Sequence, residues 1–195
     1  MGVNLAVFAS GGGSDLQAII DACESGRLDA CVRVVISNNS GSGALQRARR
    51  HGIATFHFSG KVISDVAELD EAILDTLTAH DIDIIFLAGY LKKLGSDVLR
   101  IFEGRVFNIH PSLLPKYGGK GMFGINVHAA VIAAGETETG ITIHRVIEEY
   151  DKGEIIAQRR VMVLDGDTAE TLAARVLAEE HLFIVEVLGE IISQN

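Results

Sequence analysis

Residues 4 to 14 read Asn4-Leu5-Ala6-Val7-Phe8-Ala9-Ser10-Gly11-Gly12-Gly13-Ser14, and this pattern indicates the fold class. The apolar run predicts a buried strand, and the three glycines predict a tight loop. From Ser14 to Cys23 the sequence predicts a helix, because Leu16, Ile19 and Ile20 fall on one helical face. A strand that enters a helix through a glycine-rich loop is the opening unit of an α/β sheet.

The same alternation of strands and helices continues along the chain. Further strands are predicted at 31–37, 53–58, 84–87 and 105–107, and further helices at 43–50, 65–80 and 96–102. After a short helix at 127–134 come two closely joined strands, 140–147 and 154–164, and a closing helix, 168–192, with Leu172, Val176, Leu177 and Val187 toward the core. We therefore expect one domain over residues 1–195, with a mostly parallel, doubly wound sheet and an antiparallel strand pair near the C-terminus.

Composition restricts the class of partner. With 195 residues and 48% hydrophobic content, the chain can build one sizeable core. A net charge of −9 argues against nucleic acid as the main partner. No apolar run approaches the roughly 20 residues that cross a bilayer, and the N-terminus lacks a signal-peptide pattern, so a cytoplasmic protein is expected. Cys23 and Cys31 lack metal-site spacing and are expected to be reduced, structural thiols.

The octapeptide Asn108-Ile109-His110-Pro111-Ser112-Leu113-Leu114-Pro115 contains both prolines of the chain. It follows a predicted strand, and in open α/β sheets ligands bind at the C-terminal ends of strands. Residues i and i+2 face the same side of a strand, so Asn108 and His110 are expected to converge on one small target. A capped turn with a buried histidine remains the alternative.

The loop Ser10-Gly11-Gly12-Gly13-Ser14 is expected to hold a phosphate, because glycines allow close approach and a helix N-terminus offers free N–H groups. A dinucleotide fingerprint is disfavoured, since it would need a glycine at Leu16 and an acidic residue where Asn38 stands. A plain tight turn is the remaining alternative.

Asp151 precedes Lys152 and Gly153 and would by itself be interpreted as a turn former. If it meets His110, it is expected to raise the imidazole pKa and to keep the cationic form near neutral pH. The seven histidines lack the short spacing of a zinc site, so no metal is expected. No feature supports a covalent nucleophile.

Residues 116–124 contain four glycines and are expected to form a mobile loop. Two interpretations stay open: a lid that closes over a ligand, and a solvated surface loop.

These motifs together resemble one family over essentially the whole chain. Its signatures are the run from Val7 to Ser14, the octapeptide from Asn108 to Pro115, and Glu179-Glu180-His181. The chain is similar to phosphoribosylglycinamide formyltransferases, which are folate-dependent enzymes of purine biosynthesis. The resemblance implies a Rossmann-like formyltransferase fold. It also implies transfer of a formyl group from 10-formyltetrahydrofolate to the amine of 5-phosphoribosylglycinamide.

The resemblance also implies residue roles. Asn108, His110 and Asp151 would be catalytic, with Asn108 and a cationic His110 stabilising the oxyanion. The ribonucleotide would be held by Gly12, Gly13, Ser14, Asp15 and Glu180, and the formyl folate by Gly89, Leu91, Lys92, Lys93, Leu94 and Asn108.

Three departures from the family pattern qualify these roles. Asp15 stands where the family often has asparagine, which places a carboxylate beside the expected phosphate. Residues 63–66 lack the family's folate-contacting arginine, so Lys92 or Lys93 is expected to serve the folate carboxylates. The loop at 118–124 is longer than in the best-known members.

Other functions remain open at this point. A formyltetrahydrofolate hydrolase or a sugar-nucleotide formyltransferase would share the fold. A nucleotide-binding redox protein or a non-catalytic nucleotide- or folate-binding module would belong to a different class. The expected partners are small molecules, with no nucleic acid and no membrane, and the chain is expected to be a monomer or homodimer.

Overall fold

The computed structural model describes residues 2–194. Its strands are β1 (Val3–Phe8), β2 (Ala30–Ser37), β3 (Ala54–His57), β4 (Ile84–Leu87), β5 (Val106–His110), β6 (Glu138–Arg145) and β7 (Ile155–Met162). Its helices are α1 (Ser14–Glu24), α2 (Gly43–Arg50), α3 (Val66–Ala79), α4 (Ser96–Ile101), α5 (Ile125–Ala133) and α6 (Ala169–Ser193).

The seven strands form one sheet in the order β3-β2-β1-β4-β5-β6-β7. The first five strands in this order are parallel, whereas β6 pairs antiparallel with both β5 and β7. The predicted α/β class, the mostly parallel sheet and the C-terminal antiparallel pair are therefore confirmed. The reversal at β6 is important for the site, because it places β6 residues directly beside the end of β5.

Helices cover both faces of the sheet, as double winding requires. Leu5 and Val7 of β1 point into a cluster with α1, α2, α5 and α6. Ala6 and Phe8 point to the opposite face, where α3 and α4 pack. Because successive strand residues alternate between faces, a strand buried on both sides is apolar throughout. This explains why the run at residues 4–9 shows no polar alternation.

Two sequence expectations about side-chain or strand position need correction. Leu177 is 36% exposed, so its predicted place in the core is wrong. Adjacent helical residues lie about 100° apart, and the neighbouring Val176 occupies the buried face of α6. The strand predicted to end at residue 107 continues to His110. Within residues 2–194, no helix is long and apolar enough to cross a membrane.

Candidate active site

The sheet carries a cavity of about 410 Å³ at the C-terminal ends of β4 and β5. This size is in the range of sites for small molecules and cofactors. Its lining includes the start of the Asn108–Pro115 octapeptide and Glu180. It also includes the loop after β4, the glycine-rich loop and the loop between β6 and β7. Among the predicted site residues, the lining includes Asp15, Gly89, Leu91, Lys92, Lys93, Leu94, Asn108, His110, Asp151 and Glu180. Gly12, Gly13 and Ser14 belong to the loop and helix start that immediately precede Asp15.

Asn108 and His110 lie at the C-terminal end of β5 and not in the loop that follows it. The expected convergence of the two side chains follows directly from this position, since both face the cavity. His110 is 4% exposed. Its Nε2 donates a hydrogen bond to the backbone carbonyl of Tyr117 at 2.8 Å. That bond fixes the ring, so Nδ1 is the nitrogen left to exchange a proton.

Asp151 lies between two histidines. Its Oδ2 is 3.8 Å from His110 Nδ1, and its Oδ1 is 3.5 Å from His144 Nε2. Oδ2 also accepts the Gly119 backbone N–H at 2.7 Å. Burial raises the pKa of Asp151, but the contacts with His144, Gly119 and the charge on His110 outweigh it and leave the pKa below its ordinary value. Asp151 is therefore an anion at neutral pH.

The net effect on His110 is opposite to the sequence expectation. Burial lowers the pKa of His110, and Asp151 and the Tyr117 carbonyl raise it by less. The pKa thus lies below its ordinary value of 6.5. Asp151 does raise the pKa of His110, as expected, but burial outweighs it, so the expected cationic form is not favoured near neutral pH in the unliganded protein. A neutral imidazole beside a carboxylate is instead suited to accept a proton and to be stabilised once it has done so.

His144 is a site residue that the sequence reasoning missed. It pairs with Asn108 across the antiparallel β5–β6 ladder. Its Nδ1 donates to the Arg145 carbonyl at 2.8 Å, and its Nε2 lies 3.0 Å from the donor Asn108 Nδ2. One amide N–H of Asn108 is thereby held, and the other is left for a ligand. Strand alternation puts Thr142 and His144 on one face, but sequence does not fix the register with β5.

The glycine loop is built into the sheet edge by polar contacts. Ser10 Oγ donates to Asn38 Oδ1 at 2.5 Å, and it accepts the Leu91 N–H at 2.8 Å. Asn38, which directly follows β2, thus anchors the glycine loop. In a dinucleotide-binding protein this position would need an acidic residue. Gly13 is the N-cap of α1, and no side chain caps this helix within the described part of the chain. The first-turn N–H groups are left open, as an anion site needs.

The glycines of this loop have different structural roles. Gly13 has a φ of +75°, and an added Cβ would lie 2.7 Å from the Ala44 Cα. Gly13 is therefore required by the close packing of the loop on α2. Gly12 has an ordinary φ, and a Cβ there would meet nothing within 4 Å. Arg47 approaches the loop as well, since its Nε donates to the Gly12 carbonyl at 2.9 Å.

This difference gives a prediction for the loop. Gly13→Val is expected to destabilise the protein by about 1–3 kcal/mol, because it adds left-handed strain and a backbone clash. Gly12→Val should keep the thermal unfolding midpoint and weaken ribonucleotide binding by roughly tenfold, since the side chain crowds amides that would bind phosphate. Calorimetric titration with ribonucleotide and with a folate, alongside thermal unfolding, measures both effects. Unchanged ribonucleotide affinity in Gly12→Val would show that phosphate does not approach this loop.

The two lysines after β4 have different environments. Lys93 Nζ donates to the Glu148 carbonyl at 2.8 Å and lies 4.7 Å from the centre of the Tyr150 ring. It therefore ties the loop after β4 to the loop that carries Asp151. Lys92 lines the same cavity, and among residues 2–194 no side chain engages its ammonium group. Of the two, Lys92 is the cation available to a ligand carboxylate.

The comparisons with known proteins agree with this geometry. The family described as formyl transferase matches residues 3–188, and the chain belongs to this family. A relative from Bacillus subtilis is 34% identical over 97% of this chain and 95% of its own length, and it is named phosphoribosylglycinamide formyltransferase. Within the formyl transferases, this is the group that the chain falls into.

Two further comparisons give the same group. A chloroplastic phosphoribosylglycinamide formyltransferase from Vigna unguiculata is 50% identical over 94% of this chain. The chain spans 59% of the length of that plant relative. A crystal structure of glycinamide ribonucleotide transformylase 1 from Geobacillus kaustophilus has a TM-score of 0.92 and 38% identity, covering 98% of this chain and 100% of that one. The sequence comparison and the structure comparison thus identify the same group of relatives.

Proposed function

We propose that the chain transfers the formyl group of 10-formyltetrahydrofolate to the amine of 5-phosphoribosylglycinamide, and that the whole chain serves as one catalytic domain. The observation that supports this most directly is the single cavity that joins Asn108, His110 and Asp151. The same cavity continues to Asp15, next to the open N-terminus of α1, and to the loop after β4. It therefore offers a phosphate site and a second ligand site on two sides of one reaction centre.

The reaction requires stabilisation of an oxyanion and movement of one proton. The substrate amine attacks the formyl carbon, and the carbonyl oxygen becomes negatively charged. The free N–H of Asn108 would donate to that oxygen. His110 Nδ1 would take a proton from the attacking nitrogen and return it to the folate nitrogen as the carbon–nitrogen bond breaks. Asp151 would stabilise the imidazolium that forms between these two steps.

The charge and shape of the cavity suggest where each substrate would lie. Backbone amides of Gly12, Gly13 and Ser14 would bind the ribonucleotide phosphate, with Asp15 and Glu180 nearby. The folate would lie along Gly89 and Leu91 to Leu94. Lys92 would face the folate carboxylates in place of the missing arginine, because Lys93 is engaged with Tyr150 and Glu148.

A coupled assay tests the function. Protein, 5-phosphoribosylglycinamide and a 10-formyl folate are mixed, and deformylation is followed by absorbance. We expect deformylation that depends on the ribonucleotide, with formylated ribonucleotide as product. Free formate without ribonucleotide would indicate a hydrolase, and tight folate binding with no turnover would indicate a binding module.

The glycine-rich loop is proposed to act as a lid over the folate. Residues 119–124 line the cavity, and the Gly119 N–H bonds Asp151, so loop position and catalytic geometry are physically linked. We expect saturating folate to slow amide hydrogen exchange across residues 118–124 by at least tenfold, because lid closure protects these amides. The α6 amides of residues 183–191 provide an internal control. Equal exchange with and without folate would leave a solvated surface loop as the interpretation.

The cellular setting of the activity is proposed as the cytoplasm, with small-molecule substrates and no nucleic-acid partner. The plant relative is named chloroplastic, so relatives of this chain are not confined to the cytoplasm. The protein is proposed to be a monomer or a homodimer.

A further inference from the structure

Two carboxyl groups and an imidazole meet where α1 packs on α6, at the wall of the cavity. Glu180 is 7% exposed and lines the cavity, and no polar group of the described residues pairs with it. Asp15 lines the same wall from the first turn of α1, with 14% of its side chain exposed. Its Oδ1 lies 3.5 Å from His181 Nε2, and both atoms are buried without a hydrogen bond. The group is an unsatisfied polar cluster that faces ligand space.

No lysine or arginine neutralises these carboxyls within residues 2–194. Arg159 of β7 pairs with Glu179 and Glu186 on α6, and Arg47 of α2 bonds Gly12 and Gln17 on the α1 side. Other titratable groups on the neighbouring elements include Asp21 and Glu24 of α1, His110 of β5, His128 of α5, Glu138, His144 and Arg145 of β6, and Arg160 of β7. Their charges do not set the pKa of Glu180, for which Asp15 is the charged neighbour that matters.

Two buried carboxyls at one site resist simultaneous ionisation. Burial raises the pKa of Glu180 to about 8, and the charge of Asp15 contributes in the same direction. Burial also raises the pKa of Asp15, while His181 opposes the rise. At neutral pH the pair therefore keeps a proton. A second negative charge at this wall would face any phosphate bound at the open N–H groups of α1.

We propose that Glu180 carries a proton beside the Asp15 carboxyl at the cavity wall, and that the ribonucleotide binds with full affinity only while Glu180 retains that proton. This inference rests on the proposed function, because it assigns the phosphate to the adjacent α1 N-terminus. It makes Asp15 a positioning residue that acts through Glu180. Asparagine, which the family often has at this position, would add no charge and would not tune the pair in this way.

The test is the pH dependence of the dissociation constant for 5-phosphoribosylglycinamide, measured by calorimetry between pH 6 and about 9.5. For the unaltered protein, we expect the dissociation constant to rise above about pH 8. The rise should approach tenfold per pH unit, as loss of one required proton demands. Titration of the ligand's own amine is common to all variants. The Glu180→Gln profile therefore serves as the reference that carries only the ligand contribution.

Two variants decide the role of Asp15. In Asp15→Asn, the midpoint of the rise should move to lower pH, because the charge that helps raise the pKa of Glu180 is gone while its burial remains. Glu179→Gln is the matched control on the same helix. Its carboxyl pairs with Arg159 at 3.5 Å, away from the pair, and its profile should overlay the parental one.

The outcomes separate this inference from the proposed function. If the ribonucleotide binds and is formylated but the parental and Asp15→Asn profiles coincide, the inference is wrong and the function stands. A parental profile that coincides with Glu180→Gln also overturns it. If no variant binds the ribonucleotide while all bind folate, the proposed function itself fails. Folate affinity in each variant reports that the cavity has kept its shape.

Discussion

Replacing His110 with alanine is expected to lower kcat for formyl transfer by about 10²- to 10⁴-fold, the usual contribution of a positioned acid–base group. The structure supplies the reason. Nε2 is committed to the Tyr117 carbonyl, and Nδ1 faces Asp151 within the cavity. Alanine removes the proton acceptor and leaves Asp151 without a group to stabilise. Steady-state kinetics with both substrates saturating measures this loss, and folate affinity should change little.

The pH profile tests how Asp151 supports His110. In the proposed mechanism the reacting form is the neutral imidazole, so kcat is expected to fall on the acid side as His110 becomes protonated. Asp151→Asn removes a charge that raises the pKa of His110. The acid limb should therefore move to lower pH. The plateau rate should also fall by roughly 10- to 100-fold, because the transient imidazolium loses its counter-ion.

Non-additivity provides the control. Once His110 is alanine, Asp151→Asn should cost little more, since the aspartate has lost the group through which it acts. Asp165→Asn, at an aspartate that precedes Gly166 in a turn outside the cavity lining, should leave rate and profile unchanged. A parental rate and profile in Asp151→Asn would reduce Asp151 to a turn residue and remove this part of the mechanism.

The sequence predicted the local parts of this site and not its long-range contacts. Asn108 and His110 converge because strand geometry relates residues i and i+2, whatever the rest of the fold does. Each predicted element also formed within a few residues of its expected bounds. Local pattern determines such features, because apolar periodicity and glycine positions act over a few residues.

The contacts that escaped prediction depend on tertiary geometry. His144 meets Asn108 through the antiparallel register of β5 and β6, which a single sequence does not reveal. Residue pattern alone gave no reason for Asp151 to meet His110, and only the family resemblance suggested it. The pKa of His110 is lowered and not raised because burial outweighs the effect of the nearby Asp151 carboxylate. Burial of a polar side chain is a property of packing, and alternating hydropathy does not report it.

The structure also gives Asp15 a different environment from the one its position suggested. A carboxylate in the first turn of a helix would ordinarily be solvated and stabilised by the helix dipole. Here α6 covers it with Glu180 and His181, so burial dominates its ionisation. Under the proposed function, whether Asp15 repels a bound phosphate therefore depends on how many protons the Asp15 and Glu180 carboxyls carry.

Asn108→Ala is expected to lower kcat by about 10²- to 10³-fold, the cost of removing one oxyanion donor from a pre-organised site. Loss should appear mainly in kcat, because the oxygen becomes charged only in the transition state. Folate affinity should change by less than about tenfold, since Asn108 is one of many lining groups. Stopped-flow measurement of a single turnover separates this chemical step from product release.

Substitution of His144 tests whether catalysis needs the Asn108 amide to be held in one orientation. In the unliganded protein Asn108 Nδ2 donates to His144 Nε2 at 3.0 Å, which holds the amide plane in place. His144→Ala should therefore lower kcat by about 10-fold, a smaller loss than that of Asn108→Ala, because the donor remains but is free to rotate. Combined with Asn108→Ala, the same change should cost little more, since no amide remains to be oriented. If the two losses instead multiply, His144 acts independently of Asn108, through its contact with Asp151 at 3.5 Å. That result would shift its role from holding the oxyanion donor to supporting the proton relay.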